Sequence, residues 1–181
     1  MKKVLCLLMA LVILTGCGSK MGNTPTKKVE AFLNKYQTSD KDVMDDLDNT
    51  LNNDTTLTDS ERTDYRNFMK KHYQDLTYKI KNEKIDGNIA TVETEITVRN
   101  YADAVNKANE YRSNNPDKFN STNTFATYRL NQLKKVTKTA TYTINFYLAK
   151  SNDEWTVNDL SDQDESKING LYGVNDANTV S

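Results

Sequence analysis

Leu76-Thr77-Tyr78-Lys79-Ile80-Lys81-Asn82-Glu83-Lys84-Ile85, Asp86-Gly87-Asn88 and Ile89-Ala90-Thr91-Val92-Glu93-Thr94-Glu95-Ile96-Thr97-Val98-Arg99 form two alternating runs around a turn sequence. Aspartate, glycine and asparagine between period-2 segments rich in β-branched residues read as a β-hairpin. With Ile85 and Ile89 as the closing pair, Leu76, Tyr78 and Ile80 share a face with Val92, Thr94, Ile96 and Val98. The other face sets Lys79 opposite Glu95 and Lys81 opposite Glu93. A shift of one residue would bring both lysines beside the apolar side chains of the second strand, so charge and hydropathy select one register.

Upstream of the hairpin the period changes from two to 3.6. Thr24-Pro25 is an N-cap with proline at the first helical position, and Val29, Phe32, Leu33 and Tyr36 follow on one face. Ser39-x-x-Asp42 opens a second helix, with Val43, Met44, Leu47 and Leu51 apolar. Thr58-x-x-Glu61 opens a third and is the strongest capping box of the three; its face is Tyr65, Phe68, Met69 and His72. Downstream, Asn100 caps a helix bearing Tyr101, Ala104, Val105, Ala108 and Tyr111. Pro116 breaks it, and another helix carries Phe125, Ala126, Leu130 and Leu133.

A second hairpin closes the pattern. Ala140, Tyr142, Ile144, Phe146 and Leu148 alternate with polar residues, Ser151-Asn152-Asp153-Glu154 turns the chain, and Trp155-Thr156-Val157-Asn158-Asp159-Leu160 returns as a shorter strand. The order helices, hairpin, helices, hairpin predicts an α+β fold, with N-terminal helices packed on a curved antiparallel sheet. The leading helix, the 76–99 hairpin and the closing Glu154-Trp155-Thr156-Val157 strand together resemble the nuclear-transport-factor-2-like, or cystatin-like, α+β roll of small bacterial lipoproteins. The resemblance covers residues 25–160 and implies a sheet curled around its helices, with the functional site at the mouth of a cone. Residues 161–181 are expected to form a tail, partly disordered, with a short helix capped by Ser161 and Asp164.

The N-terminal residues carry an address. Lys2 and Lys3 precede an unbroken apolar run over 4–14, too short for a spanning helix and flanked like a secretory signal. Leu14-Thr15-Gly16-Cys17 then resembles the lipobox of bacterial lipoproteins. That resemblance implies cleavage of residues 1–16, a diacylglyceryl group on Cys17 and residues 17–24 as anchor and linker. The expected location is the extracytoplasmic face of the cell membrane. Of the two cysteines, Cys6 would leave with the signal, so the mature domain has no disulfide. Removing Lys2 and Lys3 leaves 22 Lys and Arg against 25 Asp and Glu, a mild acidity that argues against nucleic acid and a polybasic membrane patch.

Chemistry is sparse. His72 is the single histidine, and it lies on an apolar helical face, which excludes a multi-histidine metal centre and favours a packing role. The acidic run from Asp40 to Asp64 lacks the glycine and closing glutamate of a calcium loop and reads as a solvated face. Neither metal nor cofactor is expected. Tyr78, Ile80, Tyr142, Phe146 and Trp155 are the candidate wall of a pocket or core. These observations point to a non-catalytic binding or accessory module for an envelope protein or a small amphipathic ligand, with oligomeric state open. The alternatives are a ketosteroid-isomerase-like or dehydratase-like enzyme pairing a pocket tyrosine with a carboxylate, and a solute-binding component.

Overall fold

In the computed structural model, residues 22–121 and 124–175 are described; the signal segment and Cys17 lie outside them. The architecture is α+β. Helices α1 (Pro25–Thr38), α2 (Lys41–Asn53) and α3 (Asp59–Gln74) lead into strands β1 (Thr77–Asp86) and β2 (Ile89–Arg99). Helices α4 (Ala102–Asn114) and α5 (Phe125–Leu133) follow, then β3 (Thr139–Ser151), β4 (Glu154–Val157) and α6 (Asp162–Ile168). The four strands make one antiparallel sheet in the order β1-β2-β3-β4.

The caps explain where the helices begin. Thr24 accepts the Lys27 amide ahead of Pro25, and Thr58 and Glu61 form the reciprocal capping box that their spacing predicts. The second start differs from expectation. Ser39 does not cap α2; it ends α1 in the left-handed region at φ 55°, and Asp40 caps α2 through the Asp42 amide. A left-handed residue closing one helix next to a capping aspartate reverses the chain within two residues. Asn100 is not the N-cap expected for α4: Tyr101 stands there with no side-chain cap, and the Asn100 side chain, one residue earlier, accepts the Ala102 amide.

The first hairpin keeps the predicted register over half its length. Tyr78 pairs with Ile96, Lys79 with Glu95 and Ile80 with Thr94. Lys81 is then an extra residue, a β-bulge, and beyond it Asn82 faces Glu93, Glu83 faces Val92 and Ile85 faces Ala90. Two expectations are thereby corrected. Asp86 and Ile89 close the hairpin around Gly87-Asn88, and Lys81 reaches Glu95 at 3.1 Å instead of Glu93. The reason is hydropathy. Without the bulge, Asn82 and Lys84 would oppose the buried Val92 and Ala90. Gly87 supplies the positive φ of 59° at the first position of the two-residue turn.

The bulge has a second effect: it brings Glu83 to the face that carries α1. There the Glu83 carboxylate accepts the Thr26 amide at 2.8 Å and the Thr26 hydroxyl at 2.7 Å. A carboxylate at a helix N-terminus satisfies an orphan donor and complements the helix dipole.

The main core lies between α1, α6 and the inner face of the sheet. Val29 and Leu33 pack with Val92, Ile96, Ile144, Phe146, Leu148, Trp155 and Ile168. Phe32 meets Phe146 edge-on at 5.7 Å. Because Ile168 is 1% exposed, the packed body runs beyond residue 160. A second core joins Leu57 and Tyr65 to Tyr101, Val105, Leu130 and Leu133, so α4 and α5 are built against α3 rather than against the sheet.

Candidate functional site

The sheet's inner face is filled rather than hollow. Phe146 and Trp155 belong to the main core, and Tyr78, Ile80 and Tyr142 are half-buried against it. Tyr142 also meets Tyr172 edge-on at 5.5 Å. Of the five residues singled out in the sequence, Trp155 lines the groove between α1, α2 and β4.

That groove is open, with a volume of about 520 Å³. Helical spacing builds its first wall. Lys28, Ala31, Phe32, Lys35 and Tyr36 recur at i, i+3, i+4, i+7 and i+8, a stripe beside the one that Val29 and Leu33 bury. The reversal at Ser39 sets α2 along this stripe, presenting Asp42, Val43 and Asp46. Strand β4 contributes Glu154, Trp155, Thr156 and Val157. The floor is apolar and aromatic, and the rim is charged.

Ion pairs hold the rim. Lys28 meets Glu154 at 2.6 Å, tying α1 to β4, and Lys35 meets Asp42 at 2.6 Å, tying α1 to α2. The hydrogen bond and the charge of Lys35 hold the Asp42 carboxyl below its usual range. Burial, reinforced by the charges of Glu165 and Asp46, pushes the Tyr36 phenol up to about 12. Tyr36 is therefore a neutral hydrogen-bonding group at physiological pH, packed edge-on against Tyr73 at 5.1 Å. The groove thus brings a tyrosine and three carboxylates, Asp42, Asp46 and Glu154, to one place, although it is open rather than enclosed.

Strand β4 is a sheet edge. Asn158 donates its amide to Tyr147 on β3, whereas the Trp155 amide points away from β3 and is taken by the Asn23 side chain at 3.1 Å. Asn23 also donates to the Asp153 carbonyl at 2.6 Å. The residues leading into α1 are thus fastened to the rim of the groove.

His72 lies elsewhere. It is 2% exposed, bonded through Nε2 to the Ile168 carbonyl at 2.8 Å and packed on Tyr73 and Tyr101. Burial lowers its pKa, and Nδ1 has no hydrogen-bond partner among the described residues. It serves to dock α6. Close packing there also demands Gly170, whose φ is +70° and whose Cβ would stand 2.1 Å from the Arg99 carbonyl oxygen.

Most of the acidic run serves caps and ion pairs, including Asp48 with Arg66 at 2.6 Å and Asp59 with Arg62 at 2.8 Å, while Asp46 lines the groove. Among the described residues no group of three or more histidines, cysteines or carboxylates is disposed to hold a metal ion. None of the described helices is long and apolar enough to cross a membrane.

The sequence reading missed Phe32, Tyr36, Val43 and Asp46 as neighbours in one groove. Their helical faces were legible; the turn that sets the two faces side by side was assigned to the wrong serine role. No protein-family model, curated protein or solved structure matches the chain.

Proposed function

We propose that this chain is a lipid-anchored, non-catalytic binding module of the cell surface that takes an extended amphipathic segment of another envelope protein in the α1-α2-β4 groove. The supporting observation is the groove itself, an aromatic floor and a charged rim lying along an edge strand. An extended segment can add backbone hydrogen bonds at the Val157 end of this edge, beyond the Trp155 amide that Asn23 takes, while placing alternate side chains on Phe32, Tyr36 and Trp155. The volume also lies within the range of small-ligand sites, so a small amphipathic ligand is the nearest variant of the same reading.

The test is site-specific photo-crosslinking in intact cells. A photoreactive residue at Val43 should give a discrete protein adduct, and the same residue at Thr143 on the opposite face of the sheet should not. Charging the floor with Val157→Lys should abolish the Val43 adduct. Equal adducts at both positions, no adduct at all, or indifference to Val157→Lys would each defeat the proposal.

One observation favours a second reading. Tyr36 with Asp46 is the kind of phenol and carboxylate pair that an isomerase-like enzyme uses for proton transfer. Turnover of a steroid-like or enolisable ketone that is lost in both Tyr36→Phe and Asp46→Asn would support it.

A further inference from the structure

We infer that the end of the sheet holding both hairpin turns rests on the lipid bilayer, as a second membrane contact beside the anchor. The inference relies on the proposed lipidation of Cys17. Its evidence begins with topology. Ile89 pairs with Ala149, and the Lys150 amide donates to the Asn88 carbonyl, so the Gly87-Asn88 and Asn152-Asp153 turns lie at one end of the sheet. The chain enters at that same end, because Asn23 is bonded to Asp153 and Trp155, and Thr26 to Glu83. Six residue steps lead from Cys17 to Asn23, and about 3.5 Å per step sets the longest tether near 20 Å. A lipid on Cys17 therefore confines this end of the sheet to the headgroup region.

Exposure picks out the same end. Among the described residues the three most exposed large apolar side chains are Ile89 at 62%, Tyr147 at 57% and Ile85 at 50%. The β2–β3 register sets Ile89 and Tyr147 diagonally on the outer face, with exposed Ala149 opposite Ile89. Beyond the bulge Ile85 projects from the other face, so the tip is apolar on both sides. Isoleucines at a turn tip with a tyrosine set back from it suit the boundary between acyl chains and headgroups. Two nearby lysines are committed within the protein, Lys28 to Glu154 and Lys150 to Asp153, each at 2.6 Å, whereas Lys84 is exposed beside Ile85. The contact is consequently an apolar tip flanked by one cation, and on zwitterionic lipid the apolar side chains hold it.

The experiment uses the full acylated chain bound to phosphatidylcholine vesicles that contain a brominated phosphatidylcholine. With Cys17 blocked by lipid, a fluorophore on Asn88→Cys reports the tip and one on Asp117→Cys reports the α4–α5 end. The tip label should be quenched several-fold more than the other, independently of salt. Ile85→Asp with Ile89→Asp should remove that excess, while the chain still sediments with the vesicles. Equal quenching at the two positions, or quenching untouched by the aspartates, overturns the docking and leaves the anchor standing. A chain that carries no lipid on Cys17 and stays in the supernatant overturns both.

Discussion

At Glu61 one carboxylate serves two helices. It is 6% exposed and accepts the Thr58 amide and hydroxyl at the start of α3, at 2.9 and 2.8 Å. Its other oxygen takes the hydroxyls of Thr124 and Thr127 at the start of α5. Burial by itself would raise its pKa, but these donors outweigh it and bring the carboxyl down to about 2 from an ordinary 4.5. Because the unfolded chain then binds this proton more readily, the group's stabilising contribution is complete above pH 4.5. It is lost as pH falls toward 2. Glu61→Gln should cost about 1–3 kcal/mol at pH 7, the penalty for buried donors left poorly matched. Urea unfolding of wild type and variant from pH 7 to pH 2.5 checks this: the two stabilities should converge at the acid end. A gap that stays constant with pH would show that the charge contributes nothing.

Among the elements, β1 shows most clearly what one residue does to a strand. Deleting Lys81 should close the bulge and join the pairs on its two sides, Ile80 with Thr94 and Asn82 with Glu93, into one ladder. Glu83 then stays opposite Val92 on the face that carries α1, and Thr26 keeps its acceptor. Glu83→Ala removes that acceptor directly and should cost about 0.5–2 kcal/mol, as loss of a helix cap does. In Glu83→Ala, amide exchange should show faster opening at the first turn of α1 and unchanged protection in β3; unchanged exchange in α1 would refute the link. The bulge had a trace in the sequence, since the apolar positions 76, 78 and 80 are even and Ile85 is odd. That break in parity was absorbed into the turn by pairing Ile85 with Ile89. Elsewhere the alternation of β2 and β3, the capping box of α3 and the Thr24-Pro25 start were all readable, because each is decided by near neighbours. The groove was not, because it depends on the left-handed Ser39 and on where α2 then lies. The double use of Glu61 was hidden too, because Thr124 is 63 residues away.

For the molecule as a whole, the two ends differ in chemistry. The turn end holds Asn23 and the exposed isoleucines, whereas α4 and α5 carry a ring cluster of Tyr111, Phe119, Phe125 and Tyr128, with Arg112 over Phe125 at 4.8 Å. Cys17→Ala should shift the chain from the membrane fraction to the soluble fraction after cell lysis and block processing. Membrane retention with normal processing would remove the anchor from the account. The tip alone should not hold the chain, since a few interfacial side chains fall short of the two acyl chains that stable attachment needs. Asn175 emerges beside α4, its amide on the Asn106 side chain at 2.9 Å, far from where Asn23 goes in. The 13 residues of β3 run between those ends, and at about 3.3 Å each they measure roughly 40 Å. With the proposed anchor on Cys17, such a body would act as a pedestal, and an epitope tag joined after Asn175 should be presented to antibody on whole cells at a fixed stand-off from the bilayer.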